Sequence, residues 1–360
     1  MKLQLKLERP RMNPIIVKEW RASMRGMRPY AILTFFLVTL VGVAGLMLVL
    51  VQQQAQYGAT ILSAHVGQAM FSGLALWELF LVVFLAPAMT SGTISSERER
   101  LTYDMLMVTP IRPMRILWGK LIAALSYLLL LIFAAIPMLS IVLMFGGVTL
   151  YDTLKVLLLL LVTTITMGSI GLFCSALFRR TATATVMSYV LVLSLIGGTL
   201  LLTMLNQQFV TGPEQHTRSE LVYLNPFSAL ASLLAVPSNA MVGPVFFSFT
   251  GSSFGLLPIL DLFSPGVIHY GMSGMEVIPI FRATLISYAF LTLLLCWISS
   301  HLILPRRRWQ PRWSDLSFAL LLLALGVLAV LLAPWWYVLP SDGLGGPFLP
   351  IAPGMPLPIP

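Results

Sequence analysis

Charge is what this sequence has least of. Only 10% of its 360 residues are Asp, Glu, Lys or Arg, against roughly a quarter in soluble domains, which excludes a water-solvated fold. Thiols and imidazoles are nearly as scarce. The two cysteines, Cys174 and Cys296, lie inside apolar stretches and read as small core hydrophobes rather than as a disulfide or metal pair. The four histidines, His65, His216, His269 and His301, are isolated in sequence, so no zinc-peptidase spacing and no metal site is indicated. A phosphate-binding loop is missing too. The only Gly-Lys pair, Gly119 and Lys120, is followed by Leu121 where a hydroxyl is needed, and Met114 stands where the first glycine should be. The chain does not hydrolyse ATP by that route, and no cofactor is expected on it.

What is present is apolar. The chain is 58% hydrophobic with a mean hydropathy of +0.90, and seven stretches are long enough to cross a hydrocarbon core of about 30 Å as helices. They run from Tyr30 to Val51, Val66 to Met89, Leu121 to Phe145, Leu154 to Phe178, Ala182 to Leu205, Ala283 to Leu304 and Leu316 to Leu339. The predicted class is an all-α polytopic membrane protein.

The net charge of +9 could suggest nucleic acid, but the basic residues flank span ends, and topology explains them better. With seven spans, 19 of the 22 Lys and Arg residues share one face, and only Lys155, Arg218 and Arg282 fall on the other. The positive-inside rule then sets the N-terminus inside and the C-terminus outside. Arg306, Arg307, Arg308 and Arg312 bound span 7 inside, and Trp335, Trp336 and Tyr337 bound it outside. The first apolar run is too long for a signal-peptide core and follows a 29-residue basic leader, so span 1 is expected to be retained.

The predicted organisation is a cytoplasmic amphipathic leading helix in 1–29, spans 1 to 5 in 30–205 with a cytoplasmic hairpin at 91–115, and an external segment at 206–281. Span 6 follows at 282–304, a basic cytoplasmic loop at 305–315, span 7 at 316–339 and a Pro-rich external tail at 340–360. Asn13 can cap the leading helix, with Pro14 at its first position, and Ile16, Trp20, Met24 and Met27 then share one face opposite Lys18, Arg21, Arg25 and Arg28. In the external segment, Asn225 and Pro226 start a short helix at 225–237. It is too short to cross and is therefore interfacial or re-entrant.

The hairpin reads GTISSERERLTYDMLMVTPIRPMRILWGK from Gly92 to Lys120. Ser96 and Glu99 have capping-box spacing, predicting a helix from Glu97 that stops near Val108, because Pro110 disfavours helix at Thr109. Pro113 can restart helix toward span 3, with Trp118 and Lys120 at the membrane interface. The apolar residues Leu101, Met105, Leu106 and Met107 on a cytosolic loop need a partner to cover them.

Two other features admit chemistry. Glu78 falls mid-span in ALWELFL, where a carboxylate must be protonated, paired or facing a cavity; it is a pathway residue or an interhelical polar contact. Ser169 lies between glycines in MGSIG, conceivable for an intramembrane protease with His301, but Gly168 and Gly171 at helix spacing read better as close-packing contacts. No further mid-span carboxylates support a proton-coupled carrier, and the halves lack the paired broken helices of inverted repeats.

The stretch SSERERLTYDMLMVTPIRPMRILWGK, Ser95 to Lys120, resembles the permease subunits of type-2 ABC exporters, a bacterial ATP-binding-cassette class. NPIIVKEW, Asn13 to Trp20, is similar to that family's leading helix, and YLNPFSAL, Tyr223 to Leu230, to its external segment before the sixth span. Leu101 stands where the family pattern usually has glycine, and span 7 with the tail exceeds the family's six-span core. The resemblance implies an exporter permease in the bacterial cytoplasmic membrane, paired with a second permease subunit as homodimer or heterodimer, over cytosolic ABC ATPase subunits that bind ATP and Mg. It makes the hairpin the ATPase-coupling element, carried by Ser96, Glu97, Arg98, Glu99, Arg100, Leu101, Thr102, Asp104, Met105, Leu106 and Pro110. On this reading the apolar residues are buried against the ATPase and the residues from Glu97 to Arg100 set register. The alternative is a non-transporting membrane scaffold or assembly factor that recruits a cytosolic partner.

Overall fold

The computed structural model describes residues 27–56, 63–102, 113–209, 220–234, 263, 268–271, 274–277, 279–302 and 313–336. The leading segment before Met27, the basic loop at 305–312 and the tail at 340–360 lie outside the described residues. The long elements are helical: α1 (Arg28–Gln56), α2 (Ser63–Thr90), α4 (Pro113–Phe145), α5 (Leu150–Leu177), α6 (Thr181–Phe209) and α8 (Ile280–Leu302). These six are long and apolar enough to cross a membrane. Between them lie two short helices, α3 (Ser95–Glu99) and α7 (Pro226–Leu234), the latter preceded by a 3-10 turn at Glu220–Leu224. At the end come α9 (Trp313–Leu331) and α10 (Ala333–Trp336). The chain is a multi-pass helical membrane protein.

The centre of the bundle is set by which helices lack bulk on several faces. In α5, 67% of the apolar window is buried, and in α2, 61%, against 22% for α1 and 17% for α6. Gly168 lies under the Leu125 side chain of α4, and Gly171 lies against Thr90 and Pro87 of α2, so a Cβ at either position would collide. Two hydroxyls inside the bundle are satisfied along their own helix: Thr164 donates to the Leu160 carbonyl (2.6 Å) and Ser169 to that of Thr166 (2.7 Å). Ser169 is thus a packing serine. The Thr166–Thr292 hydroxyl contact (3.0 Å) registers α5 on the parallel helix α8, and by that register His301 sits roughly 9 Å further along the axis than Ser169. The packing reading of MGSIG holds.

The seventh apolar run departs from its predicted form. Instead of one helix from Leu316 to Leu339, α9 stops at Leu331 and α10 resumes at Ala333. Pro334 has no N–H to give to Val330, so the helical ladder breaks there. The pair nevertheless runs antiparallel along the length of α8. Phe318 stacks on Trp297 with centroids 6.0 Å apart, Gly326 faces Phe290, and the Arg282 guanidinium donates to the Trp335 carbonyl at 2.8 Å. Trp336 folds back, its indole N–H donating to the Ala329 carbonyl at 2.8 Å.

The segment between α6 and α8 carries an element not anticipated from the pattern. Strands β1 (Ile268–Gly271) and β2 (Gly274–Val277) pair antiparallel, with Ile268 opposite Val277 and Gly271 opposite Gly274. The signal was available: two short runs flank Met272 and Ser273, and a two-residue connection between glycines suits a hairpin.

Helix α7 is described as far as Leu234, the predicted remainder to 237 lying outside the described residues, and every residue from Pro226 to Ser232 is buried. It starts at Asn225–Pro226 as predicted, and Asn225 caps it: its Oδ1 accepts the Phe227 N–H (3.0 Å), while its amide donates to the Ile196 carbonyl (3.2 Å) of α6. From α8, Tyr288 donates to the Leu224 carbonyl (3.0 Å) and Ser287 to that of Tyr223 (3.1 Å). At the far end Ser232 accepts the Phe281 N–H (3.2 Å). The Phe227 N–H left over at the start of this buried helix and the carbonyls of the turn before it are thereby satisfied by protein.

Candidate functional site

The hairpin after α2 begins with four turn residues, Ser91 to Ile94, and then the single-turn helix α3. The capping box expected from Ser96 and Glu99 does not form. The residue at the N-cap is Ile94, which has no side-chain oxygen, and the Ser96 N–H goes to the Gly92 carbonyl. A distant residue supplies the cap instead: the Ser175 hydroxyl of α5 accepts the N–H groups of Ile94 (2.9 Å) and Ser95 (3.0 Å). One oxygen on a neighbouring helix thus replaces a local motif.

The helix also stops earlier than Val108. Leu101 has φ +58°, the only non-glycine residue at positive φ among the described residues. Its N–H donates to the Arg98 carbonyl (3.2 Å) and the Thr102 N–H to the Glu97 carbonyl (3.0 Å), the paired bonds of a Schellman stop. That stop favours glycine, and a leucine there costs about 1 kcal/mol. Its side chain is 82% exposed, so no packing against the chain offsets the strain.

The charged residues of the hairpin divide. Glu97 turns inward, its Oε1 2.7 Å from the Lys120 ammonium, which also donates to the Thr93 carbonyl at 3.0 Å. Lys120 is 4% exposed, buried against the hairpin. An apolar span cannot hold that charge without a paired carboxylate. Glu99 reaches the start of α6: Oε1 accepts the Thr181 N–H (2.8 Å) and hydroxyl (3.1 Å), and Oε2 takes the same hydroxyl at 3.0 Å. Both carboxylates are therefore engaged within the chain. Ser96 and Arg98 are half-buried, while Arg100, Leu101 and Thr102 are exposed at the tip. Asp104, Met105, Leu106 and Pro110 lie outside the described residues. Helix restarts at Pro113, as the sequence predicts.

Glu78 is apart from this cluster. It is 1% exposed in α2, and its Oε1 has no hydrogen-bond partner among the described residues. Gly67 against Phe145 and Gly146, with Thr93 against Lys120, registers α2 on the antiparallel α4; Glu78 comes roughly level with buried Ala135. Cys174 and Cys296 are buried and free, and no group of three metal-ligating side chains forms among the described residues.

The sequence reading located the hairpin and its exposed leucine but missed Ser175 and Thr181. Both lie about 80 residues from their partners, and neither carries a local signal that names a partner.

No curated protein matches this chain. The family described as ABC-2 family transporter protein matches residues 13–333, a range that takes in the hairpin, the six long helices, the buried helix α7 and all of α9. The chain belongs to the ABC-2 transporter family.

Proposed function

We propose that this chain is the membrane-spanning permease subunit of an ABC exporter in the bacterial cytoplasmic membrane, driven by ATP hydrolysis on a separate cytosolic ABC ATPase that holds ATP and Mg. The observation that carries the reading is Leu101. A leucine held at positive φ, 82% exposed and presented by a helix tied to three spans is a rigid apolar knob, suited to a pocket on another protein. Arg100 and Thr102 flank it at the tip, while Glu97 and Glu99 serve the anchoring. The register role of the charged residues therefore narrows to the arginines.

The N-terminus is cytoplasmic, the C-terminus external, and α9 with α10 makes the seventh crossing; the antiparallel run beside α8 supports this. A second permease subunit packs against α1 and α6, the two least covered of the six long helices. Their exposed faces carry Gly42 and Gly45, and Ser194 and Gly197, small residues that let helices approach closely. Glu78 is an interhelical polar group or a pathway residue on this reading.

The test is an affinity pull-down of the partner ATPase with Leu101→Asp. The aspartate should weaken ATPase binding at least about tenfold, with nucleotide-dependent binding in the parent. Unchanged binding by the variant would remove Leu101 from the contact. Parent binding that ignores nucleotide would favour a scaffold over a transporter.

A further inference from the structure

Helix α6 is the least covered of the long helices, yet its cytoplasmic end is held with unusual polarity. Thr181, Thr185 and Tyr189 follow at intervals of four, so they share one face. Each is bonded to the segment that carries the hairpin. Thr181 gives its N–H and hydroxyl to Glu99 of α3. The Thr185 hydroxyl, which donates to the Thr181 carbonyl, lies 2.9 Å from the Ser91 hydroxyl in the turn. Tyr189 donates to the Phe84 carbonyl of α2 (3.1 Å), with the two rings 6.3 Å apart.

The three partners, Glu99 of α3, Ser91 of the turn and Phe84 of α2, retreat along the chain as the three α6 residues advance. The result is an antiparallel polar seam over the first two turns of α6. The seam also meets an electrostatic need. Helix α6 has no acidic residue in its first turn and follows Arg179 and Arg180, so nothing in its own sequence opposes the positive end of its dipole. Glu99 supplies that charge from 82 residues away. Beyond Tyr189 the helix continues to Phe209, and midway along it the Ile196 carbonyl accepts from Asn225.

We infer that this seam fastens α6 to the cytoplasmic hairpin as one moving body, so that Thr181, Thr185 and Tyr189 are positioning residues that carry a displacement of the hairpin to the outer end of α6. The inference rests on the proposed ATPase-coupled function. A seam of hydroxyl contacts fixes register without a continuous apolar interface, and two sites can be coupled only through an element whose arrangements differ between states.

The experiment uses the full chain with its co-purifying ABC ATPase in proteoliposomes. Leu205→Cys, at a position 40% exposed near the outer end of α6, is labelled with a membrane-impermeant maleimide, with and without vanadate-trapped ATP. The native cysteines are buried and stay silent. In the parent, labelling responds to nucleotide. In Thr185→Val/Tyr189→Phe, ATPase binding and basal hydrolysis are retained while the response falls at least about fivefold. A disulfide across Ser91→Cys/Thr185→Cys should preserve the response, because residues that move together tolerate a bond between them. A full response in the double variant, or its loss in the disulfide-linked protein, overturns the inference. A parent that binds no ATPase overturns the permease reading and this inference with it, whereas a parent that binds ATPase but shows no response overturns the inference alone.

Discussion

Two short helices, α3 and α7, cannot cross the membrane, and both depend on side chains from distant helices. For α3 the cap is Ser175, with Lys120 gripping its acidic face. For α7, Ile196 receives the amide of the capping Asn225, and Tyr288 bonds the preceding turn. They differ in what is left uncovered. Helix α7 is buried from Pro226 to Ser232, so its contacts are complete within the chain. Helix α3 ends on a strained leucine with 82% of its surface exposed. A helix finished inside the chain serves the chain's own architecture, whereas one anchored by polar groups and left open at its tip suits the partner contact proposed for it.

If α3 is anchored as α7 is, removing its anchor should be as damaging. Lys120→Met leaves Glu97, 21% exposed, with a carboxylate facing a buried site, and should cost about 3 kcal/mol. Lys120→Met/Glu97→Gln should recover most of that loss. Thermal unfolding in detergent checks both, and a small loss in the single variant would mean that water reaches the pair. For α7, Asn225→Ala removes the cap on the Phe227 N–H and one donor to the Ile196 carbonyl, which keeps the Thr199 hydroxyl at 3.0 Å, costing about 1.5 kcal/mol. The same unfolding assay applies. A negligible effect would show that α7 is held by packing alone, and the likeness between the two helices would fail.

The sequence made much of this architecture legible. Long apolar runs fixed the six crossing helices, Asn225–Pro226 marked the start of α7, and Pro113 marked the restart after the hairpin, because each is a local signal. Span 7 was legible as an apolar run, but Pro334 broke it and was read through. In the site, the exposure of Leu101 could be argued from a missing partner. The inward turn of Glu97 and Glu99 could not. The Ser96/Glu99 spacing fitted a capping box, but Ser175 and Thr181 lay within bonding distance in the folded chain and won. Local motifs compete with tertiary partners that the sequence does not place.

The smallest predicted effect separates the two helices most sharply, because one substitution should have opposite signs in them. Leu101→Gly relieves a positive-φ residue and should stabilise the stop of α3 by about 1 kcal/mol. Exchange of the Thr102 amide, bonded to the Glu97 carbonyl, should then slow about fivefold. Ala229→Gly, inside fully buried α7, loses a methyl and frees the backbone, so it should destabilise by about 1 kcal/mol or slightly more. The gain at position 101 should come with weaker ATPase binding, since glycine keeps the turn and discards the knob. A Leu101→Gly protein that is both more stable and equally able to bind would show that the strain there serves no contact.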